Sequence, residues 1–374
     1  MAGKAAAGQD AIDRRFMAAA LRLSRRNAGR TATNPSVGTV IVRDDGAGPF
    51  IVGTGVTAVG GRPHAETEAL AEAVELARGA TAYVTLEPCA HHGRTPPCAN
   101  ALVNAGVARV VGAASDPDPR VSGKGYAILR AAGVEVTEGV LAREAAEQMV
   151  GYMSRSLRKR PEVILKLALS VDGKIGRRGA GQVSITGESA RREVHLMRAE
   201  ADAILVGIGT VLEDDPALTV RLPGLESRSP IRVVLDRHAR LPEASKLVAG
   251  IDRVPVYVAA CEHADPQRKA ALERLGVRFI GTETVDSRVA LPELMEDLAA
   301  LGMASVLVEG GAEVAKAFLA DDLVDRIVLF RGAVEVGEGG IAAPLDEDHI
   351  PTGFRRVRDM RFGDDLYGEW IRGM

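Results

Sequence analysis

At 374 residues the chain exceeds one typical domain and holds enough sequence for two cores. Its 47 basic and 50 acidic side chains nearly balance and aromatics make up only 3%, so it lacks both the positive field and the stacking rings that hold a polynucleotide. Three cysteines are too few for a disulfide framework, no run approaches a membrane span, and no apolar core of signal-peptide length precedes the first charges; the expectation is a soluble, cytoplasmic protein without nucleic-acid or membrane partners.

From Ile12 onward, Ile12, Phe16, Ala19 and Leu23 recur at helical spacing, which predicts a packing helix with its arginines on the solvated faces. Asn34-Pro35 then breaks the chain before the β-branched run Val37 to Val42, and Asp44-Asp45-Gly46 turns it into a second strand, Phe50 to Val56. Asn34 is either a turn former or, through its amide, a contact for the edge of a nucleobase. After Pro63 a helix is expected from His64 to about Arg78, placing His64 and Glu66 together in its first turn. A strand, Ala82 to Leu86, leads into Pro88-Cys89, and Cys98 opens a further helical segment.

His64, Cys89 and Cys98 supply one imidazole and two thiolates, the three protein ligands of a catalytic zinc that keeps a position open for water. Glu66 is then left to move protons. This is the zinc-deaminase pattern of His-x-Glu followed by Pro-Cys-x-x-Cys, except that the loop Ala90 to Pro97 stands where the pattern allows two residues. Two other readings are open at this point. His91 or His92 closes a structural site as a fourth ligand, or the cysteines are ordinary buried thiols.

Beyond Cys98 a strand (Val107 to Val111), a loop (Asp116 to Pro119), a helix (Ser122 to Ala132) and a strand (Val134 to Thr137) alternate, which predicts a mixed α/β sheet with helices on both faces. A helical run from Ala142 to about Leu157 ends in Arg158-Lys159-Arg160-Pro161, so domains are expected at 1–157 and 158–374. The second half opens with an apolar strand, Val163 to Leu169, and a turn, Ser170 to Lys174. Gly207-Ile208-Gly209 is rejected as a Rossmann fingerprint, because Leu212 stands where a third small residue is needed. A stronger phosphate candidate is the strand Val306 to Val308, which stops at Glu309, Gly310 and Gly311 before a helix from Ala312; the same glycines also suit a plain turn. By pattern alone Arg198 belongs to the polar face of a helix starting near Glu188.

Thr85 to Cys98 (TLEPCAHHGRTPPC), Thr33 to Gly38 (TNPSVG) and Pro63 to Glu66 (PHAE) resemble the deaminase half of the bifunctional riboflavin-biosynthesis deaminase/reductases, where the long loop between the cysteines is a family mark. Lys166 to Gly176, Leu212 to Arg221 and Val308 to Gly311 resemble the reductase half, in the same order. The resemblance implies a cytidine-deaminase-like three-layer αβα domain followed by a dihydrofolate-reductase-like α/β domain. It implies zinc on His64, Cys89 and Cys98, catalysis by Glu66, and base contact by Asn34. It places NADPH on Ala168, Ser184, Thr210, Asp214, Gly310, Gly311 and Ala312, and the sugar-phosphate substrate on Arg198, Leu218, Arg221 and Glu309. Gln182 and Ser184 depart from the Ser and Trp that many relatives carry there. The implied chemistry is hydrolytic deamination of a diaminopyrimidinone ribosylamino 5′-phosphate, then NADPH-dependent reduction of ribosyl to ribityl, in a homodimer or larger homo-oligomer. The competing readings are a free-nucleoside or polynucleotide deaminase with a nonreductive second domain, and a zinc-stabilised binding protein.

Overall fold

The computed structural model describes residues 2–92, 96–285 and 288–373, which fall into two units, Met1–Arg158 and Lys159–Met374. In the first, helix α1 (Ala2–Ser24) precedes a hairpin of β1 (Gly38–Asp44) and β2 (Pro49–Val56). Then come α2 (Ala65–Ala73), β3 (Thr81–Leu86), α3 (Cys98–Asn104), β4 (Arg109–Ala114), α4 (Lys124–Ala131), β5 (Glu135–Thr137), α5 (Ala142–Gln148) and α6 (Val150–Arg158). The sheet runs β2-β1-β3-β4-β5, antiparallel at β1 and parallel from β3 to β5. Alternation along β1 sorts two cores: Val40 and Val42 join Phe16, Met17 and Met153 on one face, while Ile41 joins Ala69, Ala99, Leu102 and Leu129 on the other. The result is three layers, with the site-bearing α2 and α3 on the second face. Gly55 lets α2 lie directly on β2, since a Cβ there would come within 2.0 Å of the Ala65 carbonyl oxygen.

The second unit comprises β6 (Glu162–Leu169), β7 (Lys174–Arg177), α7 (Glu188–Glu200), β8 (Ala203–Gly207), α8 (Ile208–Asp214), β9 (Ile231–Leu235), α9 (Lys246–Ala249), β10 (Val256–Cys261), α10 (Pro266–Arg274), β11 (Arg278–Thr282), β12 (Thr284–Val285), β13 (Arg288–Val289), α11 (Leu291–Ala300), β14 (Ser305–Val308), α12 (Ala312–Ala320), β15 (Arg326–Arg331), β16 (Gly340–Ala342), β17 (Phe354–Phe362) and β18 (Asp365–Arg372). Its main sheet has the order β11-β10-β9-β8-β14-β6-β15-β18-β17, parallel from β11 through β15. The final hairpin is antiparallel. Leu294, Leu298 and Phe318 from α11 and α12 cover one face, and Val211, Leu247 and Leu272 cover the other. Ligands of such sheets bind outside the carboxyl ends of the strands, where the loops diverge.

Two expected helices are shorter than their patterns. The one predicted to reach Arg78 ends at Ala73, and Val74 takes φ 48 before a 3₁₀ turn, Val74–Ala77. Ala69, Ala73 and Ala77 stay fully buried while the β-branched Val74, a poor helix continuer, is left 71% exposed. The run from Ala142 breaks at Met149, which turns into the core between α5 and α6.

Candidate active sites

His64 caps the start of α2 in extended conformation, Cys89 follows β3, and Cys98 is the first residue of α3. Their ligand atoms lie within 4.8 Å of one another; among the described residues neither His91 nor His92 joins them. His64 Nδ1 is 3.3 Å from Cys98 Sγ and 3.8 Å from Cys89 Sγ, and the Cys98 amide donates to Cys89 Sγ at 3.2 Å. Hydrogen bonding from Cys98 brings the Cys89 thiol down to about 4, and the same bond, helped by burial, pushes Cys98 up. An imidazole converging with a thiolate and a second thiol is a donor set that fits zinc. Glu66 is 4% exposed, and burial first, then the charge on Cys89, raises its carboxyl to about 7. Asn34 spends an amide hydrogen on the Gly61 carbonyl at 3.2 Å, in the segment leading to His64. Residues 93–95 of the loop between the cysteines lie outside the described residues.

A residue with no chemical reading in the sequence helps to hold this site. Glu87, 3% exposed, accepts the amides of Gly123 and Gly125 at 3.0 Å each, and so caps α4 from a distance. Gly125 in turn packs on the Pro88 carbonyl, where a Cβ would come within 2.0 Å. The strand end bearing Cys89 is thereby clamped. Its signal was a lone acid in the otherwise apolar run before Pro88-Cys89.

The arrangement makes a direct test of the metal shell. Cys89→Ser and Cys98→Ser should each lose zinc on dialysis, whereas alanine at both His91 and His92 should leave one zinc per chain, measured by elemental analysis. Metal loss from the histidine double variant would restore the closed structural reading.

In the second unit Glu309, just past β14, takes a bidentate pair from Arg198 (Nε to Oε1 at 2.7 Å, Nη2 to Oε2 at 3.0 Å) and lies 3.5 Å from Lys166 Nζ. Burial alone would push the Glu309 carboxyl up, but Arg198 and Lys166 outweigh it and hold it at about 2. Arg198 also donates to the Thr219 carbonyl at 3.2 Å, which ties α7 to the loop carrying Arg221. His195 sits in the same field, and burial first, then Arg198 and Arg221, keep it below the ordinary histidine range. Much of Arg198's guanidinium is therefore already engaged by Glu309 and Thr219. Arg221 is exposed, while Leu218 is 4% exposed, at φ 52, with its side chain in the core. Only the Leu218 backbone is left for a ligand.

Gly310 and Gly311 form the cradle in front of α12: a Cβ on Gly310 would meet Val314 at 2.8 Å, and one on Gly311 would stand 3.8 Å from Thr210 Oγ1. Bare backbone there, backed by the first amides of a nine-residue helix, fits the phosphates of a dinucleotide. Thr210 and Asp214 are half-buried on α8, Ala168 is half-buried near the end of β6, and Ser184 and Gln182 are exposed before α7. Lys166 escaped the sequence reading; its signal was a single cation inside the apolar strand Val163 to Leu169.

The two units thus define a zinc deaminase joined to a dinucleotide-dependent reductase. Residues 10–114 match the family model described as cytidine and deoxycytidylate deaminase zinc-binding region, and 161–365 match the RibD C-terminal domain. The chain is 39% identical to riboflavin biosynthesis protein RibD of Aquifex aeolicus, covering 95% of this chain and 97% of that protein. It is 40% identical to the Escherichia coli protein of the same name, covering 85% and 87%. Among solved structures, Acinetobacter baumannii RibD superposes with TM-score 0.84 at 36% identity, over 97% of this chain and 99% of that one. A Thermotoga maritima diaminohydroxyphosphoribosylaminopyrimidine deaminase/5-amino-6-(5-phosphoribosylamino)uracil reductase superposes with TM-score 0.83 at 33% identity, over 98% and 100%. The chain belongs to the RibD family, the bifunctional deaminase/reductases of riboflavin biosynthesis. It is an enzyme with a cytidine-deaminase-like domain and a reductase domain, its cofactors are zinc and NADPH, and its substrate is a small molecule. No helix among the described residues is long and apolar enough to cross a membrane.

Proposed function

We propose that residues 1–157 deaminate diaminohydroxyphosphoribosylaminopyrimidine and that residues 158–374 reduce the resulting 5-amino-6-(5-phosphoribosylamino)uracil, the two compounds named for the Thermotoga maritima relative. The observation that carries the first step is the convergence of His64, Cys89 and Cys98 within 4.8 Å beside a buried carboxyl, Glu66. When bound by these three residues, zinc supplies the Lewis acidity that makes water a nucleophile near neutral pH. Glu66 takes a proton from the attacking water and passes protons to the ring nitrogen and the departing ammonia. Asn34, which spends one amide hydrogen on the Gly61 carbonyl, keeps its amide oxygen and second hydrogen for the edge of the base. Water adds at the amino-bearing carbon and ammonia leaves.

For the second step Gly310, Gly311, Ala312, Ala168, Ser184, Thr210 and Asp214 would hold NADPH, which when bound supplies a hydride. Arg221, with Arg198 and the Leu218 backbone, holds the sugar-phosphate, and Glu309 faces the ribose hydroxyls. Opening the ribose and adding hydride to its first carbon leaves one proton to be delivered, and Lys166 Nζ, 3.5 Å from Glu309, is the ammonium placed to deliver it. The protein's part is chiefly positioning. The enzyme works in the cytoplasm, where its free thiols are kept reduced, and as a homo-oligomer, without nucleic-acid or membrane partners.

Separation of the two activities tests this reading. A chain ending at Leu157 should release ammonia from the phosphorylated pyrimidine, and one starting at Arg158 should oxidise NADPH when given the deaminated compound. Chelation of the intact enzyme should stop only the first step. If zinc removal from a folded chain also stopped reduction of the deaminated compound, one composite site would have to replace the two.

A further inference from the structure

We propose that Asp365, the first residue of β18, is a positioning residue for the reductase: its carboxylate fixes the segment Ser184 to Gly187, and with it the start of α7, against the end of β15. The inference rests on the second unit being the NADPH-dependent reductase. Register places the residue. In the antiparallel pair of β15 and β18, Phe330 is opposite Tyr367 and Arg331 is opposite Leu366, so Gly332 stands beside Asp365 one step further along. Side chains alternate along a strand, and Asp365 therefore points to the same face as Tyr367, the face that Ala190 and Val194 of α7 cover. On its other side β15 pairs with β6, where Phe330 is the partner of Ala168, and the Gly332 amide donates to the Leu169 carbonyl at 2.9 Å. The start of β18 is thus at the carboxyl end of the parallel strands, two strands from a proposed cofactor contact.

The carboxylate is wedged between two glycines. Asp365 is 4% exposed, and its Oδ2 accepts the Gly187 amide at 2.7 Å. A Cβ on Gly187 would stand 3.3 Å from Oδ2, and one on Gly332 would stand 3.3 Å from Oδ1. The chain before α7 also lies directly on the sheet, because a Cβ on Gly332 would come within 1.9 Å of the Ile185 carbonyl oxygen. Ile185 itself is buried. A charged acceptor binds an amide more strongly than a neutral one does, so this one contact fixes the height of the segment over the strand end.

Asp365 makes no ion pair among the described residues, so its carboxylate serves as a backbone acceptor and not as the partner of a cation. Gly187, the N-cap of α7, brings no side chain to its own helix start; the acceptor comes from a residue 178 positions later in the chain. Ser184 stands one residue before the buried Ile185, and α7 carries Arg198 to Glu309. Close-packed elements pass a displacement on, and a shift at Gly187 is felt at a proposed cofactor contact on one side and along α7 on the other.

The test uses the full-length enzyme, with NADPH affinity read by fluorescence titration and turnover by reduction of the deaminated substrate. Asp365→Ala should raise both the Kd and the KM of NADPH by about 10-fold, the worth of one charge-assisted hydrogen bond. Ammonia release by the first unit should stay within about two-fold. Asp365→Asn keeps an oxygen for the Gly187 amide and should recover most of the affinity, whereas Asp365→Glu carries the carboxylate one methylene too far and should stay weak. A merely structural acid would lower the folded fraction, so that kcat fell with the KM of NADPH unchanged; that result, or an asparagine variant as weak as the alanine one, overturns the proposal. If the alanine chain does not fold, the other two variants decide, and wild-type NADPH affinity in Asp365→Glu overturns it. If the wild-type chain binds no NADPH, the reductase reading falls and this proposal with it; if it binds NADPH and the variants are indifferent, the proposal falls alone.

Discussion

Glu66→Gln should keep its zinc and lose deamination by about 10²–10⁴-fold, the share general acid–base catalysis contributes. The amide fills the same space and leaves the three ligand side chains in place, but it takes no proton from water and gives none to ammonia. Glu66 is buried against the cysteine pair, so no neighbouring solvent carboxylate stands in for it. Ammonia release measured on zinc-replete variant decides the matter. Near-normal turnover would remove Glu66 from the mechanism.

Glu309→Ala should destabilise the second unit by about 3 kcal/mol, because it leaves Arg198 and Lys166 as partly buried cations without their counter-charge. NADPH oxidation should be lost while ammonia release from the same preparation continues. The pH dependence follows from the sign of the shift. Glu309 titrates at about 2 instead of the ordinary 4.5, so its stabilisation is fully present above pH 4.5 and is lost as the pH falls through about 2. The gap in unfolding free energy between wild type and variant should therefore be flat from about pH 7 to 5 and close only in strong acid. A gap that closed near neutrality would mean that another group carries the effect.

The deaminase site was legible because its chemistry is written in short spacings. His64 and Glu66 share one helix start, and Cys89 ends an apolar strand, so local pattern already puts ligands and base in one place. The reductase site is made of residues distant in sequence. Arg198 on α7 meets Glu309 after β14 only through the tertiary fold, and a helix pattern reads it as solvated surface. Lys166 was hidden by its strand, and Glu87 by its likeness to a strand-end polar residue. Strand β8 and the hairpin of β17 and β18 also went unread. In β8 five consecutive buried residues show no alternation, while β17, with Arg355, Arg356, Arg358 and Arg361, looks like a charged surface run. Family likeness assigned reductase positions that spacing could not suggest, and at Leu218 the side chain lies in the core, which leaves only its backbone for a ligand.

The place of β6 in its sheet has a consequence for how the chain is made. This strand begins the second unit, yet its two partners are β14 and β15, which start at Ser305 and Arg326. While the polypeptide emerges from the ribosome, the first unit has all five strands of its own sheet available by Thr137, well before the chain leaves that unit. The apolar residues of β6 by contrast wait, unpaired along both edges, until most of the remaining sequence has been synthesised. A message cut short anywhere before Ser305 yields a chain whose reductase sheet has no centre.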